Sequence, residues 1–356
     1  MELKQVDVLV IGLGPAGAAA AWAATRAGLS VLAVERKQEI GVPVQCAEFI
    51  PRPMGKYAQG DGVLVQRIAG MNSILPSGAV AHADFPGLML DRAAFDQALA
   101  LRAQEAGAQI QLDTRLANLD AAGSRAVVKT PRHDLEVEYK VLIAADGPHS
   151  TVAEALGLPA LEVIHTRQYT VALNVPCADT DIWLSGAYPG GYAWLFPKGD
   201  FANLGLGADK SFAADLKQPL DALHRQLAEA GTVGEEVLSR TGGAIPVGGL
   251  RERLALGNVL FAGDAAGLTH PISGAGIAAA IISGELAGEA CAAWLLEGEG
   301  GALAEFENDI RDQFEPTLQR AVQRRQWLNQ YWGSQAAKDD AMHRKGWIAF
   351  PEYFLD

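Results

Sequence analysis

Residues 6–17 read VDVLVIGLGPAG, an apolar run followed at once by glycines in the spacing G-x-G-x-x-G. The run has the composition of a buried parallel strand. Gly12 permits a tight turn after the strand, Gly14 lets the backbone approach a pyrophosphate, and Gly17 lets the next helix pack closely. The N–H groups at the start of that helix offer hydrogen bonds and a positive dipole end to phosphates. The stretch therefore predicts a strand–turn–helix unit that binds a dinucleotide.

The residues that follow complete a βαβ unit. Residues 18–27 favour a helix, Gly28 ends it, and residues 29–34 form a second apolar strand. Glu35 follows that strand, where a carboxylate can accept hydrogen bonds from ribose hydroxyls. A lone glycine motif is a weak signal, and a glycine-rich turn without a ligand is the alternative. Strand, helix and acid together favour the dinucleotide site.

Two further aspartates follow apolar strands. Residues 144–150 read AADGPHS and residues 262–267 read AGDAAG, which places Asp146 and Asp264 just after strand ends. Ligands of open α/β sheets bind at the carboxyl ends of the strands. A single aspartate at such a place is usually a helix cap, but two of them after the glycine motif favour a shared ligand site.

The remaining pattern predicts an α/β fold with a split nucleotide-binding domain. Helices are expected at 92–106, 215–230, after Gly274 and from 301 onward, with strands near 109–113, 141–145 and 258–262 and an antiparallel sheet over 166–207. We predict a Rossmann-like, mostly parallel dinucleotide-binding domain from residues 1–65, 86–160 and 255–300. An inserted antiparallel-sheet substrate domain takes 66–85 and 161–254, and a helical C-terminal segment with an aromatic tail takes 301–356.

Composition excludes several classes of function. Of the 356 residues 49% are hydrophobic, and the net charge is −13, which argues against nucleic-acid binding. Cys46, Cys177 and Cys291 lie far apart and lack metal-ligand spacing, so we expect free thiols, no metal and a reducing, cytoplasmic compartment. We expect no signal peptide. The apolar stretch 277–296 contains two glutamates, which favours a buried helix over a membrane span.

These motifs resemble the flavoprotein hydroxylase fold group and, within it, the geranylgeranyl reductase family of FAD-dependent oxidoreductases, over about residues 1–300. The resemblance is carried by GLGPAG with Glu35-Arg36, PVQCAE at 43–48, Arg92 with Phe95-Asp96, ADGPHS, YAWLFPK at 192–198, and GDAAG followed by PISGAGI at 271–277. It implies an enzyme with non-covalently bound FAD.

The resemblance also implies roles for individual residues. Asp264 is expected to bind the ribityl chain, and the backbone N–H groups of 274–277 to face the N1–O2 edge of the flavin. Arg92 is expected to reach the pyrophosphate or ribityl region, and Leu116 to offer backbone contacts to adenine. The full cofactor-binding set expected from motifs and resemblance is Gly12, Gly14, Pro15, Ala16, Gly17, Glu35, Arg36, Val44, Gln45, Cys46, Arg92, Leu116, Asp146, Gly263, Asp264, Gly274, Ala275, Gly276 and Ile277.

Two residues are candidates for proton transfer. In the resembling family the segment around Cys46 lies beside the isoalloxazine, where a thiol could donate a proton, although a buried cysteine is often an apolar filler. His270 precedes Pro271 near the expected flavin face, and histidine titrates near neutral pH. A hydrogen-bonded loop histidine without a chemical role is the alternative.

Aromatic residues are concentrated at two places. Tyr192, Trp194 and Phe196 alternate and therefore share one face of a strand, which the resemblance makes a wall of the substrate pocket. A plain core strand is the alternative. Residues 327–356 hold seven more aromatics, which can cover the substrate cavity, meet a protein partner, lie at a membrane interface or pack on their own domain.

By the resemblance we expect a reductase in which NAD(P)H or another donor reduces the flavin, which then reduces a carbon–carbon double bond of an apolar, isoprenoid-like substrate. The sequence has no second glycine motif, so a nicotinamide donor would bind transiently. An oxidoreductase that passes electrons from NAD(P)H to a protein partner and a flavin monooxygenase stay open as alternatives. With a lipid-like substrate we also expect the protein to make peripheral contact with a membrane.

Overall fold

The structure is a computed structural model that describes residues 2–212 and 215–355. Its strands are β1 Glu2–Ile11, β2 Val31–Val34, β3 Phe49–Pro51, β4 Leu64–Ile68, β5 Met71–Ile74, β6 Val80–Ala83, β7 Gly87–Leu90, β8 Gln109–Gln111, β9 Arg115–Asp120, β10 Arg125–Lys129, β11 Asp134–Ala144, β12 Val163–Leu173, β13 Thr180–Trp183, β14 Ala193–Lys198, β15 Phe201–Ala208, β16 Val233–Thr241, β17 Ala244–Pro246, β18 Ala255–Leu256 and β19 Val259–Phe261. Its α-helices are α1 Pro15–Arg26, α2 Arg92–Glu105, α3 Thr151–Ala155, α4 Lys217–Glu229, α5 Ile277–Ala292, α6 Ala302–Asn329 and α7 Asp340–Gly346.

The first sheet carries the glycine motif. Its strands run in the order β18-β19-β11-β1-β2-β8, and β1 pairs in parallel with both β11 and β2. The last residues of β1, from Val8 to Ile11, are buried in the main core, to which α1, α2 and α5 also contribute. The carboxyl ends of β1, β2, β11 and β19 therefore lie at one edge, and the predicted parallel sheet and first βαβ unit are confirmed.

The second sheet is formed mainly by the middle of the chain. Its strands run in the order β16-β12-β15-β14-β13-β5-β6, with β17 paired to β12. Neighbours are antiparallel except for β13 and β5, which are parallel. One face packs on α4 through a cluster that includes Leu204, Leu206 and Leu220. The predicted antiparallel sheet over 166–207 is therefore present, and it extends to β16 and β17.

The segment 66–85 divides between two sheets. β5 and β6 extend the second sheet, whereas β4 pairs with β7 in a small sheet of order β3-β7-β4. The first strand of this small sheet, β3, begins at Phe49, directly after the segment 43–48 that contains Cys46.

The apolar helix predicted to be buried is α5, which continues to Glu297 as a short π-helix. Ile277–Glu297 is long and apolar enough to cross a membrane, but half of that stretch is buried inside the protein. A Cβ atom at Gly284 would lie 2.1 Å from the backbone oxygen of Ala16, so α5 packs backbone to backbone on α1. This close contact identifies α5 as a core helix.

The C-terminal segment is helical, as predicted. α6 runs from Ala302 to Asn329, and α7 and two 3₁₀ turns follow it. Trp347 and Phe350 are buried against β5, β13 and β14. The aromatic tail therefore packs on the second sheet, and the α/β class with an inserted sheet and a helical C-terminal segment is confirmed.

Candidate functional site

The three glycines of the first motif answer different steric demands. Gly12 has φ +92°, and a Cβ atom there would lie 2.4 Å from the oxygen of Ala145. At Gly17 a Cβ atom would lie 1.9 Å from the oxygen of Gly12. A Cβ atom at Gly14 would meet nothing within 4 Å. The fold itself requires glycine at the first and third positions, whereas at the second the open space matches a bound pyrophosphate.

The start of α1 is open to an anion. Gly14 is the N-cap without a side-chain hydrogen bond, and the first turn carries no acidic residue. Glu35 lies beside this turn, and its carboxylate accepts hydrogen bonds from the N–H of Leu13 at 2.9 Å and of Lys37 at 3.0 Å. Free helix N–H groups and a fixed carboxylate are what the phosphates and a ribose of a dinucleotide need.

Asp264 is brought to the same edge by a 3₁₀ turn after β19. A Cβ atom at Gly263 would lie 2.9 Å from that of Ala16, so the turn packs directly on the start of α1. Thr269 Oγ1 donates to Asp264 Oδ1 at 2.6 Å. Burial raises the pKa of this carboxyl, although the Thr269 hydrogen bond and the Arg92 charge oppose the shift. Asp264 therefore lies within reach of a ligand on α1.

The segment 274–277 forms the opposite side of this edge. Gly274 has φ +68°, and α5 begins at Ile277 after an N-cap, Gly276, that makes no side-chain hydrogen bond. A Cβ atom at Gly276 would lie 3.3 Å from Asp264 Oδ1. His270 and Ala275 close the loop through a backbone hydrogen bond of 3.0 Å. A second open helix start thus faces the Asp264 side chain.

Other members of the expected cofactor set lie further out. Asp146 Oδ2 accepts from the N–H of Thr151 and Val152, so it caps α3, while its Oδ1 is buried without a partner among the described residues. Arg36 is exposed, and Leu116 lies on β9 with its side chain against the main core. Capping explains Asp146 in part, and the cofactor contacts of all three stay predictions.

The segment 43–48 crosses the second sheet and is held there by side chains. Thr241 Oγ1 donates to the oxygen of Val44 at 2.7 Å, and Gln45 Nε2 donates to Gly242. Gln168 Nε2 donates to the oxygen of Cys46 at 3.0 Å. The inserted sheet therefore fixes the position of a segment whose other side faces α2 and the glycine edge.

The thiol of Cys46 lies among polar groups. Its sulfur accepts from the N–H of Glu48 at 3.2 Å. Burial alone would lower the pKa of Arg92, but Asp96 and the Cys46 sulfur beside it raise that pKa. Arg92 also forms two hydrogen bonds of 3.1 and 3.0 Å to Asp96. Cys46 thus lies next to a fixed guanidinium, which is more than an apolar filler requires.

Glu48 has a role that the sequence did not reveal. It has φ +70° and is 3% exposed. Lys198 Nζ lies 2.8 and 3.0 Å from its two carboxylate oxygens, Asn203 Nδ2 donates at 2.7 Å, and the N–H of Arg92 donates at 2.9 Å. Every acceptor position is used. Glu48 lies in the motif at 43–48, and Lys198 lies in the motif at 192–198. The presence of an acidic residue in one motif and a basic residue in the other was the sequence signal that could have predicted their contact.

The predicted shared face of Tyr192, Trp194 and Phe196 is confirmed, and the tail covers it. Tyr192 lies 4.9 Å from Trp347 and 5.8 Å from Trp194 between ring centroids. The Tyr192 hydroxyl donates to the oxygen of Ser273, next to Gly274. Burial and then the nearby Cys46 raise the pKa of Tyr192. Tyr192 thus joins the expected flavin edge to the C-terminal segment, and the pocket role of the three aromatics stays a prediction.

His270 is held as a neutral ring. Its Nδ1 accepts from the N–H of Ile272 at 3.3 Å and of Ser273 at 3.2 Å. Burial lowers the pKa of His270 to about 4. A ring that is neutral near pH 7 and accepts two backbone hydrogen bonds stabilises the turn before Gly274. This geometry favours the structural alternative over a proton donor.

Comparisons with known proteins agree with this geometry. Residues 7–154 match a family model described as FAD dependent oxidoreductase, and residues 164–245 match one described as geranylgeranyl reductase catalytic domain. Digeranylgeranylglycerophospholipid reductase 1 of Methanopyrus kandleri is 37% identical over 333 residues, which are 87% of this chain and 88% of that protein.

Solved structures of similar fold also include a protein described as reductase-like. A geranylgeranyl bacteriochlorophyll reductase-like protein from Thermoplasma acidophilum has a TM-score of 0.88 at 26% identity, covering 98% of this chain and 93% of that one. The p-nitrophenol 4-monooxygenase of Pseudomonas putida has a TM-score of 0.73 at 18% identity, covering 98% and 95%, which shows a shared fold alone. Both similarities extend over most of both chains, but the TM-score and the identity are higher for the reductase-like protein than for the monooxygenase. The protein is an enzyme, and the chain belongs to the geranylgeranyl reductase family of FAD-dependent oxidoreductases.

Proposed function

We propose that the protein reduces carbon–carbon double bonds in the prenyl chain of a lipid-like substrate, with NAD(P)H or another external donor reducing its FAD. The observation that carries the proposal is the meeting of Cys46, Tyr192 and the Ser273–Gly274 turn at the edge where the glycine motif and Asp264 converge. The Methanopyrus kandleri relative is named as a reductase of digeranylgeranylglycerophospholipid, which favours a prenyl lipid.

Different residues would bind different parts of the cofactor. Gly14 and the start of α1 would hold the pyrophosphate, Glu35 a ribose, Asp264 the ribityl chain, and the N–H groups at 274–277 the pyrimidine edge. An open helix start beside that edge favours negative charge there, by about 0.3–2 kcal/mol. When bound and reduced, FAD would supply the hydride for this reduction. The protein's own part is to orient the substrate, exclude water and deliver the matching proton.

We assign that proton to Cys46 Sγ. The sulfur accepts a hydrogen bond from the N–H of Glu48 at 3.2 Å and lies beside Arg92, so its position is fixed. Addition of the hydride to one carbon and of the Sγ proton to its neighbour saturates the double bond, and water returns a proton to the thiol. Tyr192, whose pKa is raised by burial, stays protonated and acts as a wall.

Transfer of electrons to a protein partner is the second candidate function. Its support is the cover over the aromatic face, where Trp347 and Phe350 are buried against β14 and leave little open volume. Chain length does not favour it, because the chain spans 88% of a relative named as a lipid reductase. The experiment described next distinguishes electron transfer to a protein from alkene reduction.

The test is anaerobic reduction of the FAD-loaded protein with NADH, NADPH or dithionite, followed by addition of a prenyl glycerolipid. We expect reoxidation of the flavin and a product that gains two hydrogen atoms for each double bond reduced. Incorporation of an oxygen atom into the product in air would contradict the proposal. Reoxidation by a redox protein, with the alkene untouched, would establish the second candidate.

We also propose cytoplasmic location with peripheral membrane contact. Cys46, Cys177 and Cys291 are free thiols, as expected of a reducing compartment. Phe354 and Leu355 are 56% and 61% exposed, and Arg320 lies over the Phe354 ring. Exposed apolar side chains beside cations fit a membrane surface. Flotation with lipid vesicles tests this, and Phe354→Ser should reduce the bound fraction.

A further inference from the structure

A small cavity lies beside Tyr192 and the Pro271–Ile272 stretch that precedes the Ser273–Gly274 turn. Its volume is about 30 Å³, and it is lined on one side by Tyr192, Ile272 and Trp347. These side chains also belong to the aromatic cluster on β14. A volume of this size holds one water molecule or one hydroxyl group. The cavity therefore adjoins the wall that we assign to the substrate.

The other side of the cavity is polar and comes from the C-terminal segment. Arg325, Asn329 and Trp332 line it. Arg325 Nε, Asn329 Oδ1 and Trp332 Nε1 are all buried, and none has a hydrogen-bond partner among the described residues. Arg325 itself is 5% exposed. A buried polar atom without a partner destabilises the fold, so three around one cavity call for a polar group inside it, which is either an ordered water molecule or a ligand hydroxyl.

The three atoms define what that group must be. Arg325 Nε and Trp332 Nε1 donate, whereas Asn329 Oδ1 accepts. The complementary group accepts two hydrogen bonds and donates one, as a hydroxyl does. An ionised phosphate only accepts, and it would bring its charge against the oxygen of Asn329.

The charges around the cavity also disfavour an anion. Arg325 Nη2 donates to Asp209 Oδ2 at 2.9 Å, and Glu162 Oε1 lies 3.9 Å from Arg325 Nε. The guanidinium is therefore already compensated. His343, the other cationic candidate at the cavity, donates from Nε2 to the oxygen of Ala337, and burial lowers its pKa. No uncompensated cation remains among the described cavity residues to attract a phosphate.

We propose that Arg325, Asn329 and Trp332 form a binding site for an uncharged hydroxyl group at the polar end of the prenyl substrate, and that they select such substrates over prenyl diphosphates. This inference rests on the proposed function. In this proposal the hydroxyl would occupy the cavity, and the prenyl chain would leave it on the side of Tyr192 and Trp347. The hydroxyl can come from a free prenyl alcohol or from the glycerol of a prenyl ether, and these two sources share the same chemistry.

The test is calorimetric binding to the FAD-loaded protein of four ligands with the same chain: geranylgeraniol, a geranylgeranyl glycerol ether, geranylgeranyl diphosphate and the matching hydrocarbon. We expect a hydroxyl-bearing ligand to bind at least about tenfold more tightly than the hydrocarbon, and the diphosphate to lose this advantage. Whether the alcohol or the ether binds more tightly identifies the source.

Three variants locate the effect. Asn329→Leu removes the acceptor and Trp332→Phe removes one donor, and each should abolish most of the preference for the hydroxyl while hydrocarbon affinity stays unchanged. Gln323→Leu, at an exposed position of the same helix, is the matched control and should bind as the parent does. Retained FAD and an unchanged unfolding midpoint show that a variant is folded.

Equal loss of affinity for all ligands in the two cavity variants would overturn the inference, as would diphosphate binding as tight as that of the alcohol. Selective binding of the hydroxyl ligand without any alkene reduction leaves the site in place and contradicts the proposed function. Reduction of all four ligands, each bound with equal affinity, supports the proposed function and contradicts the hydroxyl-binding site. Absence of binding by every ligand contradicts both.

Discussion

The Glu48 carboxylate lies 2.8 Å from Lys198 Nζ and joins the two halves of the site. Glu48 lies two residues after Cys46 in the segment 43–48, and Lys198 ends β14, which begins next to Tyr192. The same carboxylate accepts from the first N–H of α2, at Arg92. One buried ion pair thus fixes the inserted sheet to the helix beside the nucleotide-binding edge.

Replacing Lys198 by Met should destabilise the protein strongly. Glu48 is 3% exposed, and a buried charge that loses its partner costs about 3–5 kcal/mol. The double variant Glu48→Gln with Lys198→Met should recover most of that loss, because no unpaired charge remains. Urea unfolding measures both effects.

Lys217→Met is the matched control for Lys198→Met. Lys217 pairs with Asp221 on the exposed face of α4, so its loss should change little. If the double variant has a free energy of unfolding as low as that of Lys198→Met, the unpaired charge of Glu48 is not the cause of the destabilisation.

Replacing Cys46 by Ser should slow alkene reduction and leave flavin reduction nearly unchanged. Serine keeps the shape and the hydrogen bond from Glu48, but its hydroxyl is a much weaker acid than a thiol. Stopped-flow absorbance separates the two half-reactions. Cys177→Ser, at a free cysteine away from the site, is the control, and equal slowing of both half-reactions by Cys46→Ser would contradict the proton-donor role.

The sequence predicted the nucleotide-binding edge because its signals are local. Gly12, Gly17 and Glu35 lie within one βαβ unit, where spacing along the chain fixes position in space. The Glu48–Lys198 pair joins residues 150 positions apart, and the contact of Trp347 with Tyr192 comes from the tail. Such contacts depend on how two sheets and a C-terminal segment pack together, which no periodicity records.

Replacing Asp264 or Glu35 by Ala should weaken FAD retention through separate contacts. Each variant removes the charge-assisted hydrogen bond to the cofactor that we propose for that carboxylate, and such a bond is worth about 1.5–3 kcal/mol. Glu35 also accepts from Leu13 and Lys37, so its variant should loosen the turn as well. The ratio of FAD to protein after gel filtration measures retention. Glu105→Ala, at an exposed position of α2, should retain FAD, and full retention in both site variants would refute the assignment.

His270 should make the flavin-free protein lose stability as the pH falls. Its pKa is lowered from the ordinary 6.5 to about 4, so between these values the unfolded chain binds the proton that the folded chain does not. The loss amounts to about 1.4 kcal/mol for each pH unit below 6.5, or roughly 2 kcal/mol at about pH 5.

The variant His270→Asn isolates this contribution. An asparagine oxygen can accept from Ile272 and Ser273 as Nδ1 does, but it does not titrate. Urea unfolding of both proteins above pH 7 and near pH 5 should show a smaller decrease for the variant. An equal decrease in both would mean that other buried histidines, such as His343, account for it.

Gly14→Ala and Gly17→Ala should differ in what they damage. At Gly17 the added methyl group would lie 1.9 Å from the oxygen of Gly12, so α1 must move away from β1 and the fold should lose several kcal/mol. At Gly14 the methyl group meets no protein atom within 4 Å, so flavin-free Gly14→Ala should unfold at the same urea concentration as the parent. Its methyl group instead occupies the space we assign to the pyrophosphate, and FAD affinity should fall at least about tenfold. Unfolding midpoints of the flavin-free proteins and FAD titration separate the two effects. If Gly14→Ala binds FAD as the parent does, the pyrophosphate does not lie against this turn, and the dinucleotide assignment of the whole edge is wrong.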